Sequence, residues 1–411
     1  MEIALKTVPL PKLGMNVIAQ ETSLPKGSVR SAQNVVLDNV GQVLRRPGYQ
    51  TFASLPDAHS LWQGNGIVLV AAGASLYRVN IDAGTVSAIF SGLPDRVPVE
   101  YSICNTDVYF CTAGVLGKIT ATGLVRKPGI ASILGNAPTL AATTSGGLTA
   151  GRYGAAYSLV NDLGEESGLS SIAWVDVVAG GITISGLLTA THVVSQNIYV
   201  TTPGGGELYL HHNQPVAATA VVADQIVFRK ATKQFLEPMP GGTIVRHFRG
   251  RTYVADGPWL WISEPLDYGL YNFKSGYMSF DWPITMVQPV VGGIFVGCTE
   301  KVVFLDGTGP SDFRVTPTSG FGAILHSGTA VPSYYFNPEV APDQSHPVAT
   351  WLTDVGIAVG RSNGSVVYPQ SDRLRLSMPS ARSVYVVRKG VPQVVFLGES
   401  LDFLGAVDSV I

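Results

Sequence analysis

Short apolar runs recur along the chain in pairs: a strand of four to six or so residues, a Gly-rich or polar turn, and a second strand rich in Val, Tyr, Phe or Trp. Residues 66–72 lead through Gly73 to 75–79, residues 107–111 through Ala113-Gly114 to 115–119, and residues 251–255 through Asp256-Gly257-Pro258 to 259–262. The pattern returns at 293–297 with 301–305 and at 356–360 with 365–368. A weaker copy pairs 383–387 with 392–397 across Arg388-Lys389-Gly390. Adjacent copies lie roughly 40 residues apart, close to the period of a β-propeller blade. One such hairpin cannot bury its apolar face, whereas radial stacking buries it and hides the strand edges. The pattern predicts a propeller-like array. The plainer alternative is a generic meander or sandwich, because Gly-punctuated hairpins serve every all-β fold.

The repeat is interrupted between about Gly135 and Pro238. Strands are predicted there at 148–160, 172–178, 181–184, 197–201, 207–210 and 225–228, with a turn at Asn161-Asp162-Leu163-Gly164. Roughly seven short strands in about a hundred residues fit an immunoglobulin or fibronectin-type sandwich. The reading divides the chain into an N-terminal arm with a basic hairpin (1–55), first blades (56–134), an inserted sandwich (135–238) and further blades (239–411). The fold class is all-β, a propeller-like repeat with an inserted immunoglobulin/fibronectin-like sandwich.

Composition agrees with this pattern. The 411 residues include 46 Gly and 26 Pro, and 14% are charged, well below the usual quarter. With 46% hydrophobic residues, extensive burial is expected, in a large core or between subunits. A net charge of −2 provides no global field to recruit nucleic acid or membrane. Cys104, Cys111 and Cys298 lack metal-ligand spacing and read as small core hydrophobes, which fits folding in a reducing cytoplasm. Pro9 and Pro11 interrupt any signal-peptide helix, and no window of about twenty apolar residues would span a membrane.

Before the first repeat lies SAQNVVLDNVGQVLRRPGY, residues 31–49. Val35, Leu37 and Val40 are spaced for a short strand and Asp38-Asn39-Val40-Gly41 supplies turn chemistry. Val43 and Leu44 resume the strand, and Pro47-Gly48 ends it behind Arg45-Arg46. By itself this is a hairpin with a basic end. The string N-V-x-L-D-x-x-G-x-x-x-R-R-P-G-Y resembles the N-terminal signature of tail nozzle or hub proteins, of the packaged-DNA stabilisation type, from short-tailed bacteriophages. The strings G-R-Y-x-x-A-Y-x-x-V-N-x-x-G-E-E-S and I-Y-V-T-T-P-G-G-G in the insert resemble fibronectin-like modules of phage structural proteins. The resemblance implies a non-enzymatic virion protein of the tail, assembled in the host cytoplasm and using no cofactor. It further implies several copies, typically six, in a ring below the portal and adaptor. Such a ring would contact adaptor and other tail proteins, hold packaged double-stranded DNA in its lumen, and open on infection. The subunit-interface candidates are Arg45, Arg46, Pro47, Gly48 and Tyr49, since arginine favours interfaces and a Pro-Gly exit is rigid.

Other chemistry finds little support in the residues. Gly204-Gly205-Gly206 lacks the Lys-Ser/Thr of a phosphate loop. His211 and His212 are adjacent, so in a regular strand they face opposite sides and share no metal. No G-x-S-x-G elbow occurs, and Glu165-Glu166 read as solvated loop acids. Arg246, Arg249 and Arg251, around His247, could contact DNA or an acidic partner, or form a charged hairpin tip. The alternative function is a carbohydrate-binding or glycan-hydrolysing propeller, which requires two acids on the axis and exposed aromatics such as those in 259–282.

Overall fold

The computed structural model describes residues 13–32, 35–37, 42–45, 48, 50–224, 229–388, 391–398 and 402–403. Among these, every extended element is a strand, joined by turns and two single-turn 3₁₀ segments, Glu21–Ser23 and Ser333–Tyr335.

Five sheets are up-and-down antiparallel meanders. Blade 1 comprises Ala58–Gly64, Ile67–Ala72, Ser75–Asn80 and Thr85–Ser91, and blade 2 comprises Glu100–Cys104, Asp107–Thr112, Val115–Ile119 and Val125–Arg126. Blade 3 runs Ile244–Phe248, Arg251–Asp256, Trp259–Glu264, with Tyr277–Ser279 and Asp267–Asn272 both pairing the third strand. Blade 4 is Ile284–Val290, Gly293–Cys298, Val302–Asp306 and Arg314–Ser319; blade 5 is Thr329–Val331, Val348–Thr353, Gly356–Gly360 and Val366–Val367. A sixth unit, Ala381–Arg388 paired with Val391–Gly398, has two strands and is called the half-blade below.

The tight turns follow from local chemistry. Asn65 and Gly66 join the first two strands of blade 1 with φ of 49° and 73°, both left-handed. This primed turn matches strand twist, and Asn and Gly tolerate it best.

Side-chain alternation then packs blade on blade. In blade 3, Val245 and Val254 face blade 2, against Cys111 and Leu116. Their strand neighbours Ile244 and Ala255 face blade 4, against Ile294 and Val296. Leu69, Leu76, Val108 and Phe110 join blades 1 and 2, and Phe295, Phe304 and Trp351 join blades 4 and 5. Each fully buried Leu, Val or Phe contributes roughly 1.5–3 kcal/mol, so the interfaces between blades hold the array together. The chain is therefore a β-propeller-like array of short antiparallel sheets.

The inserted sandwich faces a three-stranded sheet (Thr139–Leu148, Gly180–Ser185, Thr219–Val222) with a four-stranded one (Ala173–Val177, Gly151–Asn161, Val193–Thr201, Leu208–Pro215). Tyr153, Tyr157, Leu159, Ile182 and Ile198 fill its core. The polar ends of those tyrosines are satisfied: the Tyr153 hydroxyl donates to the Thr149 carbonyl at 3.0 Å and the Tyr157 hydroxyl accepts from the Leu188 amide at 3.0 Å. The strand expected at 225–228 lies outside the described residues.

Ion pairs seat the sandwich between blades 2 and 3. Lys118 pairs with Glu165, Arg126 with Asp162 and Lys233 with Asp267. At Gly168 the backbone comes so close that a Cβ would stand 1.9 Å from the Leu236 carbonyl oxygen. A polar cleft of about 600 Å³ remains at this joint, with Tyr109, Lys118, Glu165, Lys233 and Asp267 among its lining.

Candidate functional site

The propeller axis carries concentrated charge, and the N-terminal hairpin carries exposed apolar side chains.

The axis is closed by a buried ion cluster. Glu100 opens the innermost strand of blade 2, where the main chain turns its carboxylate to the centre. Arg246 reaches it from the innermost strand of blade 3, with Nη1 donating to Oε2 at 2.7 Å. Arg382 donates to Oε1 from the first strand of the half-blade, and His326 Nδ1, just before blade 5, lies 2.9 Å from the same oxygen. Burial alone would raise the Glu100 pKa. Arg246, Arg382 and His326 more than offset that effect, holding the carboxyl well below the usual carboxylate range. Of the six innermost strands, Ala58–Gly64, Glu100–Cys104, Ile244–Phe248, Ile284–Val290, Thr329–Val331 and Ala381–Arg388, only one supplies an acid, and that acid is Glu100.

His247 neighbours this cluster. Its Nδ1 lies 3.0 Å from Ser102 Oγ and its ring meets Tyr109 edge-on at 4.5 Å. Burial, and then the nearby Arg246 charge, lower its pKa to about 3, so it is neutral near pH 7. The linkage has a definite sign. Its contribution is complete above about pH 6.5, the ordinary histidine value. As pH falls from there toward about 3, the unfolded chain takes up a proton that the folded chain refuses, and stability declines. His247→Phe should flatten this part of the stability–pH curve by up to about 1.4 kcal/mol per pH unit. Urea midpoints measured at pH 7.5, 6 and 5 read the effect, and an unchanged slope would contradict it.

The three arginines read as a possible DNA or acidic-partner contact all make bonds within the chain, and Arg249 remains exposed. Arg246 does have an acidic partner, but it is Glu100 of the same molecule. Arg249 lies on the turn, where it donates to the Gly307 and Val291 carbonyls at 2.9 and 2.8 Å. Arg251 donates to the Thr308 and Ser263 carbonyls at 3.1 and 2.5 Å. Arg249 and Arg251 thus tie blade 3 to turns of blade 4, and the physical reason is the supply of uncapped carbonyls where neighbouring blades meet.

The histidine pair also departs from expectation. A register shift between Ile198 and Tyr199 bulges the partner strand, so His211 and His212 turn toward each other, with Nδ1 atoms 2.7 Å apart. Among the described residues no group of three or more His, Cys, Asp or Glu could hold a metal. The three thiols are buried and free, and burial pushes them up to about 11, 12 and 11 for Cys104, Cys111 and Cys298. At neutral pH they are inert thiols. Glu166 accepts from Ser158, Asn197 and Tyr199 at 2.5, 2.8 and 2.5 Å, and so serves the sandwich as an internal brace.

The N-terminal hairpin pairs Val35–Leu37 with Val43–Arg45. Val35, Val43 and Leu44 are 38%, 47% and 47% exposed, and Arg45 and Gly48 are exposed as well. Arg46, Pro47 and Tyr49 lie outside the described residues. The stretch before the hairpin is attached: the Val17 amide donates to the Arg373 carbonyl at 3.0 Å and Arg373 Nη1 donates to the Leu13 carbonyl at 3.2 Å. Within the 1–55 segment, then, residues from Leu13 to Val17 bond to the body near Arg373.

Aromatics gather at the outer part of blade 3. Trp259 is stacked on Trp261 at 6.0 Å and met edge-on by Tyr277 at 5.7 Å, and both Trp259 and Tyr277 are exposed.

No family model and no curated protein sequence matches the chain. Solved structures with some likeness include the N-terminal domain of Nup159, 10% identical, TM-score 0.31, with 84% of this chain and 73% of that one covered. Others are BBS1N in complex with ARL6DN (11% identical, TM-score 0.28, 84% and 92% covered) and Kluyveromyces lactis Hsv2 (9%, 0.27, 80% and 86%). The architecture rests on the chain's own sheets and their packing.

Proposed function

We propose that this chain is a non-enzymatic structural protein of a bacteriophage tail, a nozzle or hub subunit that assembles as a ring around the path of the packaged DNA. The observation that carries the reading is the N-terminal hairpin. It bears the string that resembles the tail signature, it exposes apolar side chains beside Arg45, and among the described residues no blade includes it. An isolated two-stranded hairpin is marginal in water, so an exposed one with an apolar surface calls for a partner.

The axial cluster supports a structural role for the propeller itself. Glu100 and its three basic partners occupy the centre of each propeller, so DNA would pass through the middle of the ring of subunits, bounded by their outer surfaces. Glycan hydrolysis would need a second acid beside Glu100, and the innermost strands bring none. Glycan binding would draw on the Trp259–Trp261–Tyr277 group, in which Trp259 and Tyr277 are exposed, and this group favours the second reading.

Mass photometry of the purified protein tests the ring. One species at a fixed multiple of the subunit mass, stable to dilution, is expected. Monomers alone at micromolar concentration would remove the basis for the reading.

A further inference from the structure

The outer part of blade 3 holds an aromatic group that the propeller leaves partly uncovered, and strand register fixes its facing. Trp259 pairs with Asp256 on one side and Ser279 on the other, while Trp261 pairs with Val254 and Tyr277. Residues directly opposite share a face, so all of these lie on the side of blade 3 that meets blade 2. We propose that this face binds a neutral hexopyranose of a glycan chain, with Trp259 as its stacking surface. The proposal gives a ligand and polar partners to the aromatic group of the second reading above. It concerns a single subunit, and the ring reading does not depend on it.

The platform is anchored from within. Trp261 packs with Val254 against Cys111 and Leu116 of blade 2, and Tyr271 meets it edge-on at 5.2 Å. Trp259 stacks on Trp261 at 6.0 Å with 24° between the planes, and Tyr277 meets the two indoles at 5.7 and 5.5 Å. Trp259 is 40% and Tyr277 38% exposed. The outer indole is thus held by its neighbours and open to solvent, so it loses little side-chain freedom when a ligand arrives. Ring spacing also selects the ligand. Centroids 5.5 to 6.0 Å apart put the rings in contact, with no gap for a cation to enter between them. They form a platform rather than a cage. A platform suits a flat ligand with C–H groups on one side, which describes a pyranose ring.

Sugar hydroxyls need partners, and these stand beside the indole. Asp256 and Ser279 flank Trp259 and both are exposed. Among the described residues neither side chain has a hydrogen-bond partner, the Asp256 carboxylate has no ion pair, and the Trp259 indole N–H has no acceptor. A carboxylate only accepts hydrogen bonds, so Asp256 fits a ligand rich in hydroxyl donors. It also disfavours an acidic sugar, since this face of the three strands carries no lysine or arginine to offset the charge.

Saturation-transfer NMR on the full-length protein tests this with four probes: methyl β-galactoside, methyl β-glucoside, glucuronate and choline. One ring on an open surface binds weakly, with Kd on the order of 1 mM. At least one neutral glycoside should receive saturation, strongest at the C–H groups of one ring face, while glucuronate and choline receive none. Trp259→Ala should reduce the transfer by at least about tenfold, the scale of a central aromatic contact. Asp256→Asn, which keeps the side chain's shape, should weaken it severalfold with no change in the unfolding midpoint; this variant decides the matter if Trp259→Ala fails to fold. No transfer to either neutral glycoside would overturn the proposal, as would transfer that both variants leave intact. Saturation of choline in place of the sugars would also overturn it, because the rings would then enclose a cation. Mass photometry of the same variants should match the unaltered protein, so loss of the sugar contact and loss of the ring are read separately.

Discussion

Glu100→Gln should destabilise the propeller by about 3–5 kcal/mol, the range for breaking a buried charge pair from one side. The carboxylate is the shared anion for Arg246, Arg382 and His326. Without it two guanidinium groups remain near the axis with no opposite charge, and neutral glutamine offers one acceptor oxygen in place of two. Truncating an arginine is milder, because the carboxylate keeps its other partners. Arg382→Ala therefore costs less than Glu100→Gln, and the double variant costs less than the sum of the two. Urea denaturation at pH 7.5 reads all three. An unaffected midpoint for Glu100→Gln would mean that water already compensates these charges and that the cluster does not brace the axis.

The cluster also sets a direction with pH. The Glu100 pKa is lowered in the folded chain, so its contribution is present above the ordinary carboxylate value of about 4.3 and is lost as pH falls toward the folded value. His247 acts over a higher range, from about pH 6.5 downward. Acid weakens the propeller in two successive stages.

The second large effect concerns assembly. Excising residues 33–48 and bridging the gap with a short Gly-Ser linker should abolish oligomers and leave the unfolding midpoint of the body within about 0.5 kcal/mol, the usual effect of changes away from packed features. The reason lies in how the arm is attached. Leu13 and Val17 hold to Arg373, and Val17 is buried, so deleting the whole of residues 1–50 would also strip body contacts and confuse folding with assembly. A body that unfolds after the narrower excision would show that the hairpin stabilises its own chain.

Much of the architecture could be read from residue order because the middle strands of each blade are buried on both faces. Runs such as Ile67–Ala72 and Gly293–Cys298 are nearly all apolar and are bounded by turn residues. The innermost strands were harder to see. Ala58–Gly64 mixes polar with apolar residues and Thr329–Val331 has three residues, so neither carries a period strong enough to register. The strand Thr139–Leu148 was missed for a similar reason: Ala, Thr, Ser and Gly dominate it and most of it is exposed.

The axial site was invisible at that level. Glu100 is a lone acid between Val99 and Tyr101, and its partners Arg246 and Arg382 lie 146 and 282 residues away. Only closure of the array brings them together. Arg246 was read as a possible contact to DNA or an acidic partner; within the chain it pairs with Glu100 of the neighbouring blade. His211 and His212 differ because a bulge changed the facing of one residue, and bulges leave no firm mark in an apolar–polar pattern.

The opposite holds for the N-terminal hairpin. Its strands are legible in the alternation of Val35, Leu37 and Val43, and the exposure of Val35, Val43 and Leu44 is the basis of the role proposed for it. Negative-stain imaging of the intact protein tests that role most directly. Class averages should show closed rings of propellers around an open centre, with the excised variant appearing as single propellers. Single propellers from the intact protein at micromolar concentration would contradict the proposal that this chain builds a channel around DNA.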